Sequence, residues 1–443
     1  MLEYGDHAIE HEEQNLELLT GEGLVEERNK AFYNRFQFPP PPLQLHFLTD
    51  PSFERRFLNQ DLGDWTHRRV QERPRILVAG CGTFQAITVA LQFPTASVVG
   101  IDLSAESLAT CRKAAREIGL RTLSVQEQSL TEASYAEEFD YIVCTGVIHH
   151  LDDPEAGLRA LARALKPQGV LDLMVYNRFH RIPTSAYQRA IRLLLTGEPT
   201  DDLDRGIAFA QTLLDEHPMQ GHFGQYVKNM GSEALLADTF LQPIEHSYTV
   251  ESLASMVDRC GLEILSPHLS LWGKTWSSYQ WNVTFATPEL RTRYAGLSDL
   301  DRWKITNWLL QERSPLLWFY LQKVGNGLER KSERQIDEEF LDTPFRKARA
   351  TRRHFRRERD GSYVLSPALT EYPADPAAGL DKEKIIAAAD GKKPLREILQ
   401  QLGIEPEAGL VHRLRLELTT SAFPYLTAIS HAPRRIAADR WPR

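Results

Sequence analysis

Two short features carry the chemistry legible in this chain: Ala79-Gly80-Cys81-Gly82-Thr83 and, twenty residues after Gly82, Asp102. The first follows the apolar run Arg75–Ala79 (RILVA), and the second closes another, Ser97–Ile101 (SVVGI). Glycines just past a buried strand let the chain turn tightly and let a ligand approach the backbone, while the next helix presents free N–H groups. A carboxylate at the tip of the following strand can accept hydrogen bonds from both hydroxyls of a ribose. A plain tight turn or a helix-start carboxylate would explain either feature alone; in this order they point to a nucleoside. A dinucleotide would need a glycine where Gln85 stands, so that a pyrophosphate could rest on the helix, and Gln85 argues against it.

These residues must be positioned by a strand–helix alternation that begins near residue 75. Ala86–Phe93 has helical composition and stops at Pro94. Ser104 is placed to cap a helix whose apolar positions Leu108, Cys111, Ala115 and Ile118 recur at three and four, with Gly119 as its C-terminal cap. Thr122–Gln126 and Phe139–Thr145 (FDYIVCT) read as the third and fourth strands. Pro154 opens a helix after Asp153, with Leu158, Leu161 and Leu165 as its buried stripe, and Val170–Tyr176 (VLDLMVY) is the fifth strand. Strict alternation predicts an α/β, Rossmann-like doubly wound sheet. Residues 178–248 read as a helical lid inserted over the strand ends. The alternation then resumes with a helix over Thr249–Cys260 and strands at Leu262–Ser266 and Trp281–Ala286, giving a mostly parallel seven-stranded sheet.

The expected organisation is an N-terminal helical arm (1–60), a nucleoside-binding core (61–177), the lid (178–248), the end of the sheet (249–290), a tryptophan-containing helical segment with a basic stretch (291–359), and a small C-terminal unit (360–443). In that last unit Leu380–Ala389 and Leu395–Leu402 suggest two short helices around Asp390-Gly391. Pro39–Pro42 is a stiff spacer.

The stretch RILVAGCGTFQAITVALQFPTASVVGIDLS, followed by FDYIVCTGVIHHLDDPEAGLRALARALKPQGVLDLMVYN, resembles class I S-adenosylmethionine-dependent methyltransferases. It is most similar to the bacterial branch with an AGCGT loop and a GV-x-HHL-x-DP motif. The likeness is dense over roughly a quarter of the chain and continues more weakly through FLQPIEHSYTVESLASMVDRCGLEI. It implies S-adenosyl-L-methionine as cofactor. Gly80, Cys81, Gly82, Thr83 and Gln85 would then surround the methionine end, Asp102 would bind the ribose, and Leu103 would flank the adenine. Ser129 and Leu130 would lie along the adenine edge, with Thr145 and Gly146 as the floor. N-terminal arms of this family fold over the cofactor, which makes Tyr33 a further contact. Three departures stand out: Phe84 in place of the third loop glycine, Val78 where many relatives have an acid, and Ser129 in place of an aspartate.

His149, His150 and Tyr176 are the catalytic candidates. Methyl transfer from a sulfonium is an in-line displacement that needs an aligned nucleophile, and a base only when that nucleophile is protonated; an imidazole can serve. The competing reading makes both histidines loop anchors and Tyr176 structural. His217, His222 and His246 have no standard metal spacing, so no metal is expected.

The 443 residues suffice for two or three domains. No apolar run reaches the roughly 20 residues of a membrane span, the start MLEYGDHAIEHEEQ is not signal-like, and four scattered cysteines suit reduced thiols, so a cytoplasmic protein is expected. A net charge of −8 argues against coating nucleic acid with the whole surface. The basic run 346–359 (RKARATRRHFRRER) reads as a solvated, partly helical connector or as a contact for RNA or an acidic partner. The expected activity is methyl transfer to an O, N or C nucleophile of a small molecule or peptide. The alternatives are an RNA or protein methyltransferase docking through the C-terminal unit, whose IIAAADGKKPLREILQQLG loosely resembles winged-helix peptide-binding domains, and a non-catalytic binder of the cofactor.

Overall fold

The computed structural model describes residues 24–196, 203–220, 232–269, 281–374 and 380–429, together with Gly224 and Val227. His222 and the acidic start of the chain lie outside the described residues. After α1 (Leu24–Arg35), β1 (Gln44–Leu48) and α2 (Phe53–Asp61), the alternation runs β2 (Arg75–Ala79), α3 (Gln85–Gln92), β3 (Ser97–Asp102), α4 (Ala105–Glu117), β4 (Leu123–Glu127), β5 (Phe139–Thr145), α5 (Pro154–Ala164) and β6 (Leu165–Tyr176). The lid comprises α6 (Arg178–Leu194), α7 (Leu203–Glu216) and α8 (Glu233–Phe240); α9 (Val250–Arg259), β7 (Leu262–Pro267) and β8 (Leu316–Lys323) return to the sheet.

The strand order is β4-β3-β2-β5-β6-β8-β7. Every pairing is parallel except those of β8, which runs antiparallel to both β6 and β7. This is the Rossmann-like, mostly parallel seven-stranded sheet that the alternation predicts. Strands such as β2 and β5 are buried along almost their whole length because helices cover both faces, with Arg75 and Asp140 as their charged members. The helix ends follow local chemistry: the Ser104 side chain accepts from the Ser107 N–H, Asp153 caps α5 ahead of Pro154, and Gly119 takes φ +69°.

Two expectations need correction. Trp281–Ala286 forms no strand; the seventh member of the sheet is β8, LLWFYLQK, from a segment expected to be helical. Its run of buried residues fits between two neighbours, and Trp281 instead packs its ring 5.6 Å from Phe319 of β8. The basic run is not helical either. It forms β9 (Pro344–Lys347) and β10 (Ala350–Arg357), where Phe345 and Phe355 are buried and most of the basic side chains stay partly or fully exposed. β10 is the centre of a small antiparallel sheet with β1, β11 (Tyr363–Leu365) and β12 (Thr370–Tyr372). β9 joins β13 (Asp390–Pro394) and Leu426–Ala428 in a three-stranded sheet. Around that sheet pack the helices Glu333–Asp342, Leu380–Ala388, Leu395–Gln401 and Ala408–Thr419, with Trp65 contributing to the same core.

A buried polar chain ties this C-terminal unit to the large sheet. The amide of Gln60 donates to the carbonyls of Thr419 (2.7 Å) and Leu426 (3.1 Å) and accepts from the Ala428 N–H (2.8 Å). Asp61 accepts from the Ser421 N–H (2.9 Å), the Ser421 hydroxyl (2.6 Å) and the Tyr320 hydroxyl (3.1 Å). On the same sheet face, Asp172 accepts from Trp318 Nε1 (2.5 Å), the Tyr141 hydroxyl (2.8 Å) and His268 Nδ1 (3.0 Å). The His268 ring stacks on Trp318 and Tyr320 at centroid distances of 4.1 and 4.8 Å. Burial pulls the His268 pKa down, but the charge and hydrogen bond of Asp172, with Asp61 beyond, leave it above the usual imidazole value of 6.5.

A raised folded-state pKa means that this pair stabilises the fold fully below pH 6.5 and loses its contribution as pH rises through the folded-state value. His268→Asn is therefore expected to cost about 2 kcal/mol at pH 6, with a smaller deficit at pH 9. Urea unfolding of both proteins at the two pH values checks this, and a deficit that does not change with pH would contradict it.

Candidate active site

The strand order reverses between β2 and β5, so the loops leaving their C-terminal ends diverge and open a cleft. Gly80 and Gly82 form the loop after β2, with φ of +61° and +52°. A side chain at Gly80 would put its Cβ 2.3 Å from Val147, and one at Gly82 would lie 2.4 Å from the Phe38 carbonyl oxygen. Both positions thus need glycine for conformation and for space. The loop is closed onto β3: the Gly82 N–H donates to Asp102 (2.8 Å) and the Cys81 N–H to the Ile101 carbonyl (2.9 Å). Asp102 also accepts from the Ser104 N–H at 2.8 Å. Burial raises the Asp102 pKa, opposed by these backbone donors.

The other loop residues divide by where they point. The Cys81 and Thr83 side chains are buried, and the Thr83 hydroxyl donates to the Pro39 carbonyl, so the proline run packs directly on the glycine loop. The Gln85 amide donates to the Thr145 hydroxyl, bridging the loops after β2 and β5. Gly146, with φ +78°, has only the Met174 methyl nearby at 3.8 Å, leaving its cleft side open. Leu103 is half-buried beside Asp102. Ser129 is buried and donates to Glu26 at 3.1 Å, while Leu130 belongs to the core. Phe84 turns away from the cleft into the core against Tyr363, with ring centroids 5.6 Å apart, so it neither packs on the lid nor crowds the loop.

α1 straps across the strand ends. Lys30 pairs with Glu127 (2.6 Å), the Asn29 amide donates to the His150 carbonyl (2.7 Å), and the Ser104 hydroxyl donates to the Tyr33 carbonyl (3.2 Å). The Tyr33 hydroxyl meets lid residues Gln242 (2.5 Å) and Asp238 (3.4 Å). Burial, then Asp238 and Tyr176, push the Tyr33 pKa well up, so the phenol keeps its proton.

His149, His150 and Tyr176 come together. Their ring centroids lie 4.0 Å (His149–Tyr176), 4.3 Å (His149–His150) and 5.8 Å (His150–Tyr176) apart. The Arg181 guanidinium covers the Tyr176 ring at 4.4 Å. His149 is fully buried with neither ring nitrogen hydrogen-bonded among the described residues; burial, then the neighbouring His150, Arg181 and His246, hold its pKa well below 6.5. It is a neutral ring that resists protonation. His150 Nδ1 lies 2.9 Å from the Ile244 carbonyl, which can only accept, so Nδ1 carries the hydrogen and Nε2 the lone pair. His217 and His246 do not converge on a metal site, and no group of three or more potential metal ligands occurs among the described residues.

Sequence reading missed the lid's contribution: Asp238, Gln242, and the buried ion pair of Arg181 with Glu245, whose Nε–Oε1 distance is 2.7 Å. Asp238, Gln242 and Glu245 lie more than 60 positions after the end of β6, and Glu245 is 64 residues from Arg181, so no local spacing announces them. Removing Arg181 strands a buried carboxylate. Arg181→Ala is expected to destabilise the protein by about 3–5 kcal/mol, and adding Glu245→Gln should recover part of that loss. Chemical denaturation measures both variants; a single-variant loss below about 1 kcal/mol would mean the pair is not holding the lid.

Residues 77–173 match the family described as "Methyltransferase domain". An uncharacterized protein of Synechococcus sp. is 31% identical over 287 residues, covering 62% of this chain and 66% of that protein. The ubiquinone biosynthesis O-methyltransferase of Actinobacillus pleuropneumoniae is 34% identical over 110 residues, covering 24% of this chain and 46% of that protein. The chain therefore spans about two thirds of the first relative and about half of the second. Among solved structures, PKMT2 from Rickettsia typhi superposes with a TM-score of 0.51 at 14% identity, covering 89% of this chain and 77% of that one, and shares its fold. The matched residues 77–173 run from β2 to β6 of the Rossmann-like sheet, so the likeness to methyltransferase domains falls on the strands and loops that build the cleft.

Proposed function

We propose that the whole chain is an S-adenosylmethionine-dependent methyltransferase acting on an O, N or C nucleophile of a small molecule or peptide. The observation that carries this reading is the closure of the Gly80–Gly82 turn on Asp102, inside the segment that matches the methyltransferase family. The cradle fits the cofactor: two glycine positions admit no side chain, and a carboxylate stands at the strand tip beside them. When bound, S-adenosylmethionine supplies a methyl group on a sulfonium. Gly80, Cys81, Gly82, Thr83 and Gln85 hold the methionine end, Asp102 the ribose, and Leu103, Ser129 and Leu130 the adenine side. Thr145 and Gly146 form the floor, and Tyr33 closes the site from above.

The acceptor's place is beside Tyr176, His149 and His150. His149 serves as a neutral wall, because a ring held so far from protonation is a poor base near neutral pH. His150, whose Nδ1 is fixed by the Ile244 carbonyl, is the one oriented to take a proton on Nε2. An arm and lid packed together over the strand ends suit a modest, enclosed acceptor. Four free cysteines and the lack of any long apolar helix among the described residues support a cytoplasmic setting.

Calorimetry with S-adenosylmethionine tests the cofactor assignment. Asp102→Ala should weaken binding about 100-fold, as expected for two hydrogen bonds to a charged group; equal affinity in both proteins would sink it. Release of S-adenosylhomocysteine across an acceptor library tests catalysis, and normal cofactor binding without any release would favour a non-catalytic binder.

A further inference from the structure

The small sheet around β10 has one face in the core and one in water. Leu45, Phe47, Phe355 and Tyr363 face inward. On the opposite face, the end carrying Leu48, Ala350 and Tyr372 is covered by Phe53 and Phe57 of α2. The rest of that face is left uncovered by the described residues. It presents His46, Arg352, His354 and Arg356, in a register that sets His46 against His354 with ring centroids 5.5 Å apart. Three exposed apolar side chains belong to its strands or flank them: Val364 (52% exposed), paired with Arg356, and Leu43 (77%) and Leu369 (64%), the residues that precede β1 and β12.

The positive charge here is largely uncompensated. Residues 346–359 contain eight arginines and lysines and one acid, for +7, so the remaining 429 residues sum to −15. Arg356 pairs with Glu358 at 2.8 Å, whereas Arg349, Arg352, Arg357 and Arg359 form no ion pair among the described residues. An acidic molecule would meet Arg352 without breaking an ion pair and would compete at Arg356 only with the exposed Glu358, a pair worth little in water. The surroundings then select the kind of molecule. A long polyanion leaving the patch would meet a strongly acidic body. The exposed face also offers apolar residues, and the Tyr372 ring at its covered end is already taken up by Phe53 and Arg352, which leaves no free Phe, Tyr or Trp platform for stacking bases among the described residues.

We infer that the exposed half of this sheet is a docking surface for an acidic polypeptide segment whose carboxylates meet Arg352 and Arg356 and whose apolar side chains rest on Leu43, Val364 and Leu369. Docking here needs neither the cofactor nor methyl transfer.

The test uses the full chain and a fluorescein-labelled peptide, three repeats of Glu-Gly-Glu-Leu, followed by anisotropy. Saturable binding is expected, weakened about tenfold or more by Arg352→Glu combined with Arg356→Glu and by raising salt from about 0.05 to about 0.3 M. Arg352→Lys with Arg356→Lys should retain most of the affinity. Circular dichroism and S-adenosylmethionine calorimetry on each variant show that fold and cofactor site are intact, so failure of docking and failure of the methyltransferase reading are told apart. Absence of peptide binding, binding unchanged by charge reversal, or tighter binding of a twelve-nucleotide oligouridine would overturn the inference.

Discussion

The hydrogen bond from the Gly82 N–H to the Asp102 carboxylate, 2.8 Å long, is the constraint around which the cleft is organised. It fixes the turn after β2 against the tip of β3, and the Ser104 N–H holds the same carboxylate from the other side. Asp102 is thereby oriented before any ligand arrives, and burial makes its charge costly unless donors surround it. The two glycine conformations, the Phe38 carbonyl above Gly82 and the capping of α4 by Ser104 all depend on this arrangement. A turn so crowded leaves room for backbone and ligand only.

How much of this could be read from sequence follows from the range of each interaction. The glycine loop, Asp102, the Ser104 and Asp153 caps and strands β2 to β6 are local patterns, each signal contained within about twenty residues of chain. β8 was not legible because LLWFYLQK is an apolar run too short to separate strand from helix, and its partner β7 lies some fifty residues earlier. β10 was missed for a different reason: ATRRHFRR has a single buried residue, Phe355, so no alternation of apolar and polar shows. Its ladder partners make it a strand: β11 and β12 close by, and β1 three hundred residues upstream.

The buried polar groups were the least legible of all. Asp172 sits inside VLDLMVY, where a sequence reader sees one acid in an apolar strand and no hint of Trp318, Tyr141 and His268 converging on it. Asp61 and Gln60 bind residues about 360 positions later. Buried carboxylates survive only when such donors gather, so each one records a tertiary contact that composition cannot reveal.

The lid applies the same physics to a different end. Arg181 and Glu245 neutralise each other in the interior, and the guanidinium face is spent on Tyr176. Burial, then the neighbouring His150 and that positive charge, hold the His149 pKa well below the usual imidazole value, so this ring adds no cation to the cleft wall. Asp238 lies on the far side with Tyr33 and Gln242, its carboxyl pKa raised by burial. The roof of the cleft thus includes a phenol that keeps its proton, Tyr33, and a neutral ring, His149, with the Arg181–Glu245 charges paired beside them. A roof of that kind excludes water without attracting ions, and leaves Asp102 as the carboxylate at the tip of the glycine cradle.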